Sequence, residues 1–307
     1  MNKKILIPII VILILAAGIG AYFVLQKSAF PEPLTPPVIK EQTSTFLMIH
    51  FEVGAAEKFP WYAEIVKGSD IRNLKYQEAL WPTAIEIVNL ANRYNAKLTL
   101  GFTPQWAEYI LMDEKKINMI KEWQKQGHEI AYQHHGVDHP DWDGYSNMPE
   151  AKSKEGYRGT AAEGFEFLKK LAYPENVTVG TITDMVNDLP GEIKILTYGG
   201  TRNEGGNLAK TVSEPVFRIM ENKETIWLGH GFLESFFHDN KKTDALLVEL
   251  KEKYEEFPPN KVFGVVTHEH DFYRYPDALE EWFRYVNSKG GKIQTVKEIA
   301  EKFYPEK

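Results

Sequence analysis

From residue 45 onward, short apolar runs rich in β-branched and aromatic residues alternate with segments whose apolar residues recur at helical spacing. Strands that alternate with helices pair in parallel through right-handed crossovers. About seven such units predict an α/β fold, a regular or distorted (β/α) barrel. The predicted strands are residues 45–53, 97–102, 130–132, 177–182, 193–198, 225–228, 261–267 and 293–296.

Helices are predicted between these strands, at residues 81–94, 104–112, 114–126, 154–171, 244–257 and 276–288, and at the carboxyl terminus. No internal repeat or second Pro-rich boundary interrupts this part of the chain. Residues 42–307 are therefore predicted to form one barrel domain.

The amino-terminal segment predicts one transmembrane helix. Ile5 to Leu25 holds 21 residues without a charge, which is long enough to cross a bilayer core of about 30 Å. Because Lys3 and Lys4 precede it, residues 1–27 are predicted to anchor the chain in the cell membrane as a single pass, with the C-terminal domain extracytoplasmic. A cleaved signal peptide is the alternative, although its apolar region usually holds only about 7–15 residues. The Pro-rich residues 28–41 predict a linker.

Composition restricts the chemistry. The chain has no cysteine, so disulfides, thiolate metal sites and a cysteine nucleophile are excluded. A metal would be held by His, Asp or Glu, which favours zinc or another divalent ion. The net charge of −7 gives no electrostatic reason to expect a nucleic acid partner.

Polar side chains follow three of the predicted strands where each strand ends. In a (β/α) barrel these carboxyl ends meet at one face, which is where the chemistry lies. Two imidazoles and a carboxylate form a common catalytic metal shell, and such a set hydrolyses amides or esters without a serine or cysteine nucleophile. The side chains concerned are His50 and Glu52, then His134, His135 and His139, and finally His268, His270 and Asp271.

Two of these stretches carry a family resemblance. Gly127-His128-Glu129-Ile130, followed by His135-x-x-x-His139, resembles the metal-binding motif of the polysaccharide deacetylases, the NodB-homology carbohydrate esterases. The stretch from Val265 to Phe272 is similar to the last motif of that family. The opening strand, with Phe51-Glu52-Val53-Gly54, stands where the family has Phe-Asp-Asp-Gly.

The resemblance implies a distorted (β/α) barrel and metal-dependent removal of N-acetyl or similar acyl groups from an extracellular glycan. His135 and His139 would be metal ligands, Glu52 the catalytic base and His268 the catalytic acid. His270 is the alternative acid at the same strand end.

The chain departs from the family pattern in one respect that bears on the metal. Val53 stands where the family has a second Asp, a metal ligand, and valine cannot coordinate an ion. His50 or Glu52 could fill that place, and His134 competes with His135 because two extra residues separate the histidine pair from Gly-His-Glu-Ile.

Aromatic residues beyond the metal motif suggest how a glycan would bind. Trp142 and Tyr145 lie in the loop after the histidine strand, where rim exposure and stacking on sugar faces are expected. His230, between glycines after a strand, is a further candidate substrate-binding residue at the rim.

Two other functions stay open. Loss of the second Asp, with no Arg-x-Pro motif visible, is compatible with a catalytically inactive barrel that serves as a glycan-binding or envelope module. Glycoside hydrolysis by Glu52 and a second carboxylate would need a partner about 5–10 Å away, for which Asp184 is the candidate.

Overall fold

In a computed structural model of the chain, the described residues are 43–54, 60–68, 70, 72–139, 141–183, 188–199, 216–220, 223–234, 239–259 and 261–305. The predicted anchor (residues 1–27), the linker (residues 28–41) and Asp184 lie outside them. Within these ranges, none of the helices has the length and apolarity needed to cross a bilayer.

A closed barrel of seven parallel strands forms the centre of the domain. In circular order the strands are β1, β2, β3, β4, β5, β7 and β8, and β8 returns to β1. The predicted (β/α) barrel is therefore confirmed. The strands, with the two described next, are β1 (Ser44–Phe51), β2 (Thr99–Phe102), β3 (Glu129–His135), β4 (Val179–Thr183), β5 (Ile195–Gly199), β6 (Val216–Met220), β7 (Lys223–Phe232), β8 (Val262–His268) and β9 (Ile293–Gln294).

Two strands lie outside this closed circuit. β6 pairs antiparallel with β7, and β9 adds a short parallel pairing at the start of β1. The sequence pattern predicts no strand at β6. It also predicts a shorter β7, because only residues 225–228 stand out as an apolar run before two glycines.

Helices surround the barrel, as predicted. They are α1 (Pro60–Ile65), α2 (Lys75–Arg93), α3 (Pro104–Leu111), α4 (Glu114–Lys125), α5 (Ala161–Ala172), α6 (Asn240–Glu256), α7 (Glu269–Arg274), α8 (Pro276–Ser288) and α9 (Val296–Phe303), with a 3₁₀ helix at Pro149–Ser153.

Several helices differ from the prediction. α2 begins at Lys75, six residues before the predicted start, and Pro82 lies inside it. α5 begins at Ala161 instead of residue 154, because Thr160 and Glu163 form a reciprocal capping box there. The short helices α1 and α7, the latter directly after β8, are not predicted.

Alternation along β1 separates two apolar cores. Phe46 and Met48 point into the barrel, whereas Leu47 and Ile49 pack against the surrounding helices. A side chain at Gly264 would collide with the ring of Phe46, so the barrel interior is filled at that level. The polar side chains follow where this filled interior ends, at the carboxyl ends of the strands.

Candidate active site

The end of β1 carries His50 and Glu52 into a buried polar cluster. The backbone N–H of Glu52 donates to Oε1 of Glu269 at 2.8 Å. The side-chain amide of Gln77 donates to the carbonyl oxygen of Val53 at 2.9 Å. The turn that carries Glu52 is therefore held by side chains from α7 and α2.

The carboxylate of Glu52 lies between two imidazoles. Its Oε2 is 3.6 Å from Nδ1 of His135, and its Oε1 is 3.5 Å from Nε2 of His268. The side-chain amide nitrogen of Gln133 donates to Oε1 at 2.8 Å and lies 3.2 Å from Nε2 of His135. Residues from β1, β3 and β8 thus meet at one carboxylate.

Burial raises the pKa of Glu52 well above its usual value, because the charged form loses its hydration. The charge of Asp141 raises it further, whereas the charge of His268 acts in the opposite direction. A raised pKa makes the ionised form of this carboxyl group a stronger base.

His268 ends β8 and caps the start of α7. Its Nδ1 lies 2.8 Å from Oδ2 of Asp271, which also accepts the backbone N–H of His268 at 3.3 Å. Burial alone would lower the pKa of His268, but the hydrogen bond and charge of Asp271, with the charge of Glu52, raise it to about 9. The imidazole is therefore protonated at neutral pH, with its Nε2 toward Glu52.

His270, the alternative acid, has a different environment. Its Nδ1 lies 3.3 Å from the hydroxyl oxygen of Tyr76, and its ring is stacked beside that of His268 with centroids 5.0 Å apart. Burial lowers the pKa of His270 to about 3, so this imidazole is neutral. Of the two predicted acids, His268 is the one beside Glu52 and the one that holds a proton.

His50 and His230 are two further neutral imidazoles. Burial, and then the charge of His268, lower the pKa of His50 well below its usual value. Burial also lowers the pKa of His230 to about 3. Among the described residues, Nε2 of neither ring has a hydrogen-bond partner. The sequence predicts His230 at the rim, but the structure buries it, with its ring centroid 6.2 Å from that of His50.

At the end of β3, His135 pairs with Asp141 from the following loop. Nδ1 of His135 donates to the carbonyl oxygen of Asp141 at 2.8 Å and lies 3.6 Å from its Oδ2. Burial alone would lower the pKa of His135, but the hydrogen bond and charge of Asp141 raise it. The same pairing outweighs burial at Asp141 and lowers the pKa of that carboxyl.

His139 lies against His135, with ring centroids 4.3 Å apart. Its Nδ1 accepts the backbone N–H of Asp141 at 3.0 Å. The lone pair of Nδ1 is therefore occupied by the loop that carries Asp141.

His134, the competing metal ligand, does not join the cluster. Its Nδ1 lies 2.8 Å from Oδ2 of Asp143, and its Nε2 lies 3.2 Å from Oδ2 of Asp188. Burial alone would lower the pKa of His134, but these two carboxylates raise it to about 9. Both ring nitrogens are engaged by acids, so neither offers a lone pair to a metal in this arrangement.

The described residues contain three groups of side chains that could hold a metal ion, each with ligand atoms within 4.8 Å of one another. Two of the groups share Glu52, and the third lies directly beside it. The groups are His50 with Glu52 and His268, Glu52 with His135 and Asp141, and His268 with His270 and Asp271.

The aromatic side chains predicted to bind sugar point inward. Trp142 and Tyr145 are each 3% exposed. Nε1 of Trp142 donates to the carbonyl oxygen of Tyr145 at 3.0 Å, and Arg158 lies over the ring of Tyr145. The rim exposure expected for both is therefore not found, because they pack into the base of their own loop.

Sequence reasoning missed several residues of the cluster. Asp141 is recognisable in retrospect, because it lies two residues beyond His139 in an acidic loop. Gln133 lies two residues before His135 and so on the same face of the strand. Glu269 carries no sequence signal, since its role depends on a helix that begins where β8 ends.

No protein-family model matches the sequence, and no curated protein sequence matches it either. Solved structures do match. A probable polysaccharide deacetylase from Pseudomonas aeruginosa PAO1 is 15% identical with a TM-score of 0.58, over 86% of this chain and 91% of that one. Puue allantoinase, also 15% identical with a TM-score of 0.58, covers 91% of this chain and 95% of its own.

A third matching structure is named for an activity other than deacetylation. The 4-alpha-glucanotransferase from Thermococcus litoralis is 16% identical with a TM-score of 0.52, over 85% of this chain and 40% of that one. Likeness at such identities establishes the fold, because one fold hosts many reactions. At that level the resemblance seen in the sequence motifs is confirmed: the chain has the barrel fold found in polysaccharide deacetylases and in allantoinase.

Proposed function

We propose that the protein is a metal-dependent hydrolase that removes N-acetyl or similar acyl groups from a glycan. The single observation that carries this proposal is the position of Glu52 between His135 and His268, with His268 held protonated by Asp271. A carboxylate beside a cationic imidazole supplies a base and an acid within one small site.

Each catalytic group has a defined task. Glu52, whose pKa is raised by burial and by Asp141, takes the proton from the attacking water. His268 gives the proton on its Nε2 to the leaving amine, which would otherwise depart as an unstable anion. Asp271 keeps the proton of His268 on the ring and orients the imidazole.

The donor set fits a divalent ion, for which zinc is our proposal. His135 is the predicted ligand with a carboxylate beside it, and Nε2 of His50 is buried without a hydrogen-bond partner among the described residues. A bound ion of this kind acidifies water and polarises a carbonyl group. His139 stays a candidate through its contact with His135.

The proposed substrate class is inferred from the similarity of this chain to other proteins. A structural neighbour is named as a polysaccharide deacetylase, and the sequence motifs resemble those of the same family. The predicted anchor at residues 1–27 would hold the domain outside the cytoplasm, where a cell-envelope or other extracellular glycan would be the substrate.

The test measures acetate released from an N-acetylated glucosamine oligomer by the full-length protein. We expect release that chelator treatment abolishes and zinc restores. Glu52→Gln keeps the shape of the side chain but removes the base, so it should reduce kcat by about 10²–10⁴. Release that is unaffected by both treatments would contradict the proposal.

A catalytically inactive glycan-binding module is the second candidate, and one observation favours it. Val53 is fully buried, and its backbone is tied to Gln77. Position 53 therefore offers no acidic ligand. A module of this kind would bind the oligomer equally well as wild type and as Glu52→Gln, and neither form would release acetate.

A further inference from the structure

The loop after β3 places a second buried carboxylate beside Glu52. Asp141 and Glu52 are 5% and 3% exposed, and their oxygens lie within 4.8 Å of each other and of a ring nitrogen of His135. Oε2 of Glu52 accepts no hydrogen bond from the described residues. Two buried carboxylates side by side repel each other unless a proton or a cation lies near both.

Among the histidines predicted as ligands on this side of the barrel, His135 has a ring nitrogen near the carboxylates of both Glu52 and Asp141. His134 faces carboxylates through both ring nitrogens, and Nδ1 of His139 accepts a backbone N–H. Nδ1 of His135 instead donates to the carbonyl oxygen of Asp141. The same Nδ1 lies 3.6 Å from Oδ2 of Asp141 and 3.6 Å from Oε2 of Glu52, whereas Nε2 accepts from the side-chain amide of Gln133. An ion near both carboxylates would therefore bind His135 at Nδ1, where it would replace the proton.

We infer that Asp141 supplies the acidic metal ligand of this site, next to His135, in place of an acidic residue at position 53. The inference rests on the proposed function, because it assigns a ligand of the same metal. Asp141 would contribute its carboxylate to the ion, which would take the place of the proton on Nδ1 of His135. Glu52 then remains beside the ion as the base.

The loop that holds Asp141 suits this role. Its backbone N–H is bound by Nδ1 of His139, and its carbonyl oxygen accepts from His135. Asp143, two residues later, accepts the backbone N–H of Tyr145 at 3.0 Å. Asp141 is therefore positioned by backbone contacts on both sides.

The experiment measures zinc binding by the full-length protein with equilibrium dialysis and calorimetry. Asp141→Asn keeps the shape of the side chain and the backbone carbonyl but removes the charge. We expect zinc affinity to fall more than the roughly 10–100-fold that loss of an outer-shell partner costs. Asp138→Asn is the matched control, since Asp138 lies in the same loop, is exposed and pairs with Lys154. Its zinc affinity should equal that of the wild type.

The outcomes separate the inference from the proposed function. If wild type binds no zinc, the metal-dependent function itself fails. If wild type and Asp141→Asn bind zinc equally while His135→Ala does not, the function stands and the assignment of Asp141 is overturned. Circular dichroism without metal checks that each variant is folded. If Asp141→Asn is unfolded, Asp141→Ser takes its place in the same assay with the same expected loss.

Discussion

His134 and His268 lie in the last two residues of two different strands, and both have a pKa raised to about 9. His134 is fully buried and has a carboxylate at each ring nitrogen, Asp143 and Asp188. His268 is hydrogen-bonded to a carboxylate at Nδ1 alone, where Asp271 lies at 2.8 Å, and its Nε2 lies 3.5 Å from Glu52. The comparison teaches that the number of ring nitrogens hydrogen-bonded to carboxylates, rather than the protonation state, separates a structural imidazolium from one that can give its proton to a substrate.

The largest expected effect is on catalytic activity and concerns His268, the catalytic histidine of this pair. His268→Gln keeps a polar side chain but has no transferable proton, so kcat for acetate release should fall by about 10²–10⁴. The free energy of unfolding should also fall, but by less than in a variant of His134, because the side chain of His268 is partly exposed and Arg274 stays near Asp271. Steady-state kinetics and urea unfolding of the same preparation measure both.

His270→Gln is the matched comparison for that variant. His270 is neutral and contacts Tyr76 instead of Glu52. Its loss should reduce kcat by much less than the loss of His268. Equal reductions in the two variants would contradict the assignment of the acid to His268.

The next largest expected effect is on stability and concerns His134. His134→Gln leaves Asp143 and Asp188 buried without the cation between them. Breaking a buried ion pair from one side costs about 3–5 kcal/mol, and the free energy of unfolding should fall by the lower part of that range because both aspartates also accept backbone N–H groups. Urea unfolding at neutral pH measures this loss.

The pH dependence sharpens the same prediction. A histidine whose pKa is about 9 in the folded state and about 6.5 when unfolded adds stability below pH 6.5, and that stability is lost as the pH rises toward 9. Wild type should therefore lose stability between these values. The loss should be smaller in His134→Gln, where the contribution of His268 remains.

His128→Gln is the control for that measurement. His128 is buried and accepts the backbone N–H of Leu98, and burial lowers its pKa to about 4. A lowered pKa affects stability only at acidic pH. An unchanged slope in His134→Gln, or a changed one in His128→Gln, would contradict the assignment of this pH dependence to His134.

The sequence predicts the barrel well because strand and helix periods are local signals. The apolar runs around Phe46 and Val265 and the helix at Pro276–Ser288 are found where they are expected. The convergence of His50, His135 and His268 also follows, because all parallel strands end at one face of a barrel. These features depend on topology alone.

The partners of each imidazole are not predictable in this way. Adjacent residues His134 and His135 have the same chemistry in the sequence, yet strand alternation turns one toward Asp188 and the other toward Glu52. Asp188 lies 54 residues from His134, and Glu269 lies 217 residues from Glu52. Such pairings are set by side-chain packing across the barrel, for which a single sequence carries no local signal.

The smallest expected effect concerns Trp142, which lies in the chain between Asp141 beside His135 and Asp143 beside His134. Trp142→Phe keeps a buried ring but removes the hydrogen bond from Nε1 to the carbonyl oxygen of Tyr145. The free energy of unfolding should fall by about 1 kcal/mol, and KM for the oligomer should be unchanged because the ring faces the interior of the loop. A large rise in KM with unchanged stability would instead place Trp142 against the substrate. Trp142 would then act at the sugar-binding surface rather than stabilise the loop through its hydrogen bond to Tyr145.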